Sequence, residues 1–170
     1  MTGEDSTKAT RATNSPLSTS SNLPDYGFRV FRLDSSNIRA WNPDAKNLEQ
    51  TLLDHTEHLV EGRDEFDLLY EILLKKGLDL CVPMTQKDIA GFTVHSIAAG
   101  TLLACVSDKH ITTTNAESLA LGIVEWKKTL AAEQSSIVFR DTAFQGDIAK
   151  SNLTAILEQH GFDSKNIKSL

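Results

Sequence analysis

The chain is poor in several things at once. Two cysteines, Cys81 and Cys105, stand far apart in 170 residues. That spacing makes neither a disulfide framework nor a cysteine zinc site. Both fall in segments that read as buried, so they are expected to be small apolar side chains in a reducing compartment. There are four prolines, Pro16, Pro24, Pro43 and Pro83, and none adjoins another. Glycine-rich phosphate cradles, a serine between glycines, and a cysteine with a base partner are all missing. No apolar run approaches the roughly 20 residues of a membrane-spanning helix. The opening Met1–Lys8 lacks a basic stretch followed by an apolar one, so no secretory signal is read and the expected compartment is the cytoplasm. Positive charge is also scarce. With a net charge of −6 and scattered lysines and arginines, the chain has no basic face, and such a face carries duplex-DNA affinity by neutralising phosphates. Weak or no autonomous DNA binding is therefore expected.

What is present is a core-forming α/β pattern behind a polar leader. Residues 1–25 are rich in Ser, Thr, Asn and Asp and cannot bury enough surface to offset ordering entropy, so they are expected to be a disordered leader. From residue 26 to 170 the pattern is that of one domain. Gly27–Leu33 reads as a strand that runs into the turn formers Asp34-Ser-Ser-Asn37. Asn47–Glu61 has helical periodicity through Leu48, Leu52, His55 and Leu59. Arg63–Lys76 has acids in its first turn, lysines in its last, and Gly77 as a stop. Its polar stripe is thin, so it needs cover on several sides or a partner.

Residues 85–106 read as strands, with Phe92–Ile97 and Thr101–Val106 forming a hairpin about Ala98-Ala-Gly100. A helix is expected from near Thr114, capped by Thr114-Asn-Ala-Glu117, with Ala116, Leu119, Ala120, Ile123 and Lys127 marking one face. Gly122 weakens the middle of that helix. Ser135–Phe139 is a short strand. Asp147–His160 reads as a helix with Ile148, Asn152, Ala155, Ile156 and Gln159 along one side, and Asn166–Leu170 as an edge strand. The expected fold is a single α/β domain with a small mixed sheet and about four helices.

Few residues invite chemistry. His55 and His58 lie at i and i+3 beside Asp54 and Glu57, but helical metal pairs favour i and i+4, and a surface cluster is the simpler reading. Asp34 and Asn37 form a polar group at a strand end, with the same side chains a turn requires. Trp41, just beyond, suits an interface anchor or a lid on the core. Arg140 and Asp141 follow a strand, where ligands gather in open α/β sheets, though a structural role in the next connection is the simpler account.

Three collinear segments carry a resemblance: Gly27-Phe-Arg-Val-Phe-Arg-Leu-Asp-Ser-Ser-Asn37, Asp64-Glu-Phe-Asp-Leu-Leu-Tyr-Glu-Ile-Leu-Leu74, and Val138-Phe-Arg-Asp-Thr-Ala-Phe144 with Lys150-Ser-Asn152. Together they resemble the C-terminal module of adenine-specific DNA methyltransferases, the modification subunits of type III restriction–modification systems. The resemblance implies a parent that uses S-adenosylmethionine, with an Asp-Pro-Pro-Tyr tetrapeptide and a Phe-x-Gly-x-Gly loop. Neither occurs in this sequence, so it implies no catalytic, cofactor-binding or metal residue here. It implies an accessory module, not catalytic by itself, whose partners are modification or restriction subunits, with a homodimer also open. The alternatives are a stand-alone regulator of those subunits and a small enzyme acting at Arg140–Asp141.

Overall fold

The computed structural model describes residues 27–38, 59–60 and 62–170. The leader 1–25, Trp41, the His55–His58 cluster and nearly all of the 47–61 segment lie outside the described residues. The chain divides into Met1–Phe31 and a compact unit, Arg32–Leu170.

In the compact unit the elements run α1 (Glu65–Lys76), β1 (Met84–Ile89), β2 (Phe92–Ile97), β3 (Leu102–Cys105), α2 (Thr113–Thr129), β4 (Ser136–Phe139), α3 (Asp147–Gln159) and β5 (Ile167–Ser169), with short 3₁₀ turns between several of them. The strands form one five-stranded sheet in sequence order. β1, β2 and β3 pair antiparallel, whereas β3, β4 and β5 run parallel. The sheet is therefore mixed, and the domain is α/β.

Local chemistry explains each element. The Ala90-Gly91 turn between β1 and β2 has both residues at positive φ, +53° and +82°, the twist that two-residue hairpins favour. In α1, Asp64 caps the helix through a reciprocal box with Asp67 and Gly77 closes it in the left-handed region at φ 67°. Acids in the first turn and lysines in the last oppose the helix dipole.

Alternation along the strands divides the core in two. Leu103, Cys105, Ile137 and Phe139 face α2 and α3, together with Leu119, Ile123, Leu153 and Leu157. Leu102, Ala104, Val106 and Val138 face the other way, onto Leu68, Leu69, Ile72 and Leu73 of α1. The two crossovers advance in one direction, so their helices share a face. Among the described residues the result is three layers: one helix, the sheet, and two helices.

Several expectations need correction. Residues 27–36 belong to no strand, and Phe28 and Leu33 are each 87% exposed; alternation makes a segment eligible for a sheet, but a ladder partner makes it a strand. Leu59, expected within a helix, makes an isolated antiparallel bridge with Ile38. β1 extends the expected hairpin into a three-stranded meander; its Thr-Gln-Lys-Asp centre is exposed and carries no apolar signal.

α2 begins at Thr113, with a capping box between Thr112 and Asn115 rather than Thr114 and Glu117. On α3 the buried residues are Ala149, Leu153 and Leu157. The side that carries Ile148, Asn152, Ala155, Ile156 and Gln159 is mostly solvent-facing, with Ile148 69% exposed. Cys105 is buried as expected, but Cys81 is exposed, and both are free thiols.

Candidate functional site

β3 and β4 are parallel neighbours, so their carboxyl ends open on the same side of the domain. The chain leaves β3 through Val106–Asp108 and leaves β4 at Arg140. Facing these ends stand the start of α1 and the segment that leads into it. Between them is a cleft of about 710 Å³. Leu59, Leu68 and Val106 give it an apolar floor, and Arg63, Asp64, Glu65, Asp108 and Arg140 supply charge around it.

Most of these charged groups are already engaged by neighbours outside the cleft lining. Arg63 reaches Asp34, with Nη1 3.4 Å from Oδ2, and its Nη2 donates to Ser35 Oγ at 3.2 Å. Asp64 is committed to the α1 cap. Arg140 Nε donates to Thr142 Oγ1 at 2.8 Å, which fixes the plane of the guanidinium. Glu65 Oε2 lies 3.5 Å from Nε2 of His95, a buried side chain on β2. Phe66 meets the same imidazole edge-on, with ring centroids 5.8 Å apart. Burial, with repulsion from Glu65, pushes the Cys105 thiol up to about 12, so at neutral pH it is a protonated, inert packing group.

The polar residues after Gly27–Leu33 are a strap on α1. The Asn37 N–H donates to Glu71 Oε2 at 2.8 Å, and Nδ2 of the same residue donates to the Asp67 carbonyl at 2.9 Å. Ser36 Oγ donates to the other Glu71 oxygen, and Lys75 Nζ pairs with that oxygen at 2.8 Å. Burial alone would raise the Glu71 carboxyl. The hydrogen bonds from Lys75, Ser36 and Asn37 outweigh it and bring the group down to about 2. Asp34 is also held below the ordinary carboxylate range, first by the Ser35 N–H and then by Arg63.

The five candidate residues thus separate. Asp34 and Asn37 belong to the strap; Asn37 is buried and spends its amide on holding the helix. Arg140 lines the cleft. Asp141 instead binds Lys150 Nζ at 2.6 Å, and Lys150 also donates to Ser169 Oγ on β5. The backbone of Asp141 donates to the Leu170 carbonyl at 2.8 Å, fastening the C-terminal strand. Adjacent in sequence, Arg140 and Asp141 serve different parts of the domain. Trp41 lies outside the described residues.

Glu71 and Arg63 were not singled out by the sequence, because a carboxylate on a helical polar stripe and a cation before a helix look like ordinary surface charge. A polar segment ending in a small amide, with an isolated Glu on a nearly apolar helix, was the available signal.

Among the described residues no group of three or more His, Cys, Asp and Glu could hold a metal ion, and no helix is long and apolar enough to cross a membrane. The fold and cleft define a three-layer α/β domain with a strand-end cleft. Comparison of the chain with models of protein families, with curated proteins and with solved structures finds no match in any of the three.

Proposed function

We propose that the chain is an accessory, assembly module of a type III restriction–modification N6-adenine DNA methyltransferase, not catalytic by itself, working by contact with modification or restriction subunits. The observation that carries this reading is the outer face of α1. Phe66, Tyr70 and Leu74 recur at four-residue spacing, and Phe66 and Leu74 remain 44% and 54% exposed although the inner face of the same helix is fully buried. Apolar residues left in a row on an otherwise capped and strapped helix suit a protein contact. Net negative charge supports protein rather than duplex DNA as the partner.

The expected outcome is co-elution of the chain with type III modification or restriction subunits, and no transfer of labelled methyl groups from S-adenosylmethionine to duplex DNA by the purified chain. Base-flipping methyl transfer needs a pocket for the extruded base beside a bound donor, and the sequence contains neither motif that provides them in the parent family. A stand-alone regulator would use the same surface; the reading frame upstream of the gene separates the two, since a split gene would encode Asp-Pro-Pro-Tyr there. The cleft over Arg140 favours a second reading, a small enzyme. In that reading Arg140 acts without Asp141, which is engaged with Lys150.

A further inference from the structure

The strap on α1 has a second attachment, to the cleft. Leu59, Val60, Gly62 and Arg63 all line the cleft and stand just ahead of α1 in the chain. None of the five strands passes through them, so the sheet ladder does not fix their backbone. The strap does. The Val60 N–H donates to the Asn37 carbonyl at 2.8 Å, and Leu59 bridges to Ile38. Arg63 is tied to Asp34 at 3.4 Å, and its Nη2 donates to Ser35 Oγ at 3.2 Å. Among the described residues, every hydrogen bond of this wall ends on Asp34, Ser35 or Asn37. Leu59 adds an apolar hold, buried in the cluster under α1.

The strap itself rests on few contacts. Ser36 Oγ donates to Glu71 Oε1 at 2.5 Å, the Asn37 N–H to Glu71 Oε2 at 2.8 Å, and Asn37 Nδ2 to the Asp67 carbonyl at 2.9 Å. The first two bonds end on one carboxylate, which Lys75 also engages at 2.8 Å. Bonds to an ionised acceptor are the strong ones, so the charge on Glu71 carries most of the attachment. Asn37 is the joint: its N–H and amide hold the helix, and its carbonyl holds Val60. It is only 6% exposed. Buried polar groups keep partners, so Asn37 deprived of the carboxylate moves out rather than staying in place unpaired. Val60 then loses its acceptor.

We propose that Glu71 is the latch of the cleft: through Ser36 and Asn37 it holds the strap on α1, and through the strap it holds the cleft wall of Leu59, Val60 and Arg63. The latch concerns the opening of the cleft, not its occupant, and stands whether or not the outer face of α1 meets a partner.

The test is hydrogen exchange on the full chain, read amide by amide by NMR, with limited trypsin digestion read by mass spectrometry. Glu71→Gln keeps the shape of the side chain and removes its charge. In that variant the Val60 amide exchanges about tenfold faster or more, and cleavage after Arg63 speeds up with it. Ser36→Ala, an exposed change, removes one bond and gives a smaller increase at Val60, about two- to fourfold. Ile123→Val, a mild core truncation on α2, speeds exchange at Leu103 and Val138 in the sheet and leaves Val60 at its parent rate, because the wall opens without the core. The proposal is overturned if Val60 keeps its parent rate in Glu71→Gln, or if cleavage after Arg63 does not rise there. It is equally overturned if Ile123→Val speeds Val60 as much as Leu103 and Val138, since the wall would then open only with the whole domain.

Discussion

The two faces of the sheet are built on opposite plans. On one, α2 and α3 pack against each other and against the strands, and Leu119, Ile123, Leu153 and Leu157 are wholly buried. On the other, α1 is the one helix over the strands among the described residues. Its inner face is as dry as anything in the molecule, but its outer face keeps Phe66 and Leu74 in solvent. It is held by a polar strap and borders a charged cleft. Among the described residues this face has one helix, and the strap and the charged cleft lie beside it, while the two-helix face also keeps Ile148 and Leu121 in solvent.

Same-type substitutions on the two faces give the largest contrast. Leu153→Ala is expected to cost about 2 to 5 kcal/mol, because the cavity it leaves is enclosed by both helices and the sheet. Leu74→Ala on α1 should stay within about 0.5 kcal/mol. Urea unfolding of the two variants checks the pair, and similar costs would break the distinction between faces.

Gly122→Ala comes next. A Cβ there would overlap Ile89 Cγ2, so Ile89 must turn or α2 must lift off β1. A net loss of about 1 to 3 kcal/mol is expected even though alanine is the better helix former. A thermal midpoint equal to or above that of the parent chain would show that the helix and strand are less closely seated.

The strap gives a smaller and more local effect. Glu71→Gln removes the charge that Lys75, Ser36 and Asn37 converge on, and it should speed amide exchange at Asn37 while leaving β3 and β4 unchanged. Acid should do the same. A carboxyl depressed from 4.5 to about 2 contributes stability that is complete above the unfolded value and is lost as the pH falls through the folded one. Loosening is therefore expected between about pH 4.5 and 2, by exchange or by proteolysis near Ser36. Uniform loosening of both faces over that range would show that the strap is not the acid-sensitive part.

The smallest effect belongs to a turn. Ala90 has φ +53°, and Ala90→Asn should raise stability by about 0.5 kcal/mol, since asparagine tolerates the left-handed region that alanine avoids. A decrease in chemical denaturation would contradict the turn geometry.

How much of this was legible in the sequence follows the same division. Where a residue pattern and its burial share one cause, the reading held: the Ala116–Ile123 face of α2, the β2–β3 hairpin, the apolar strand Ile137–Phe139, and Gly77 as the stop of α1. Where the outcome depends on a neighbour, it did not. Gly27–Leu33 has the alternation of a strand, but no strand forms there. β1 has a polar centre and becomes a strand because β2 supplies the ladder. On α3, two apolar residues, Ile148 and Ile156, suggested a side that the fold turns largely outward, since Ala149, Leu153 and Leu157 fit closer to α2. For the candidate site, position after a strand marked Arg140, and adjacency wrongly suggested that Asp141 worked with it. Asn37 was visible as a polar turn residue. Its partner Glu71 was not, because nothing in a sequence pairs a strap with a helix so far along the chain.

We propose that the outer face of α1 is a contact surface for type III modification or restriction subunits. The direct measurement is co-elution of the chain with those subunits on size exclusion with light scattering, comparing the parent with Leu74→Glu. The account predicts a complex for the parent, its loss in Leu74→Glu, and an unchanged thermal midpoint in that variant. A parent chain that stays uncomplexed with both subunits, or a Leu74→Glu variant that binds as well as the parent, would contradict it.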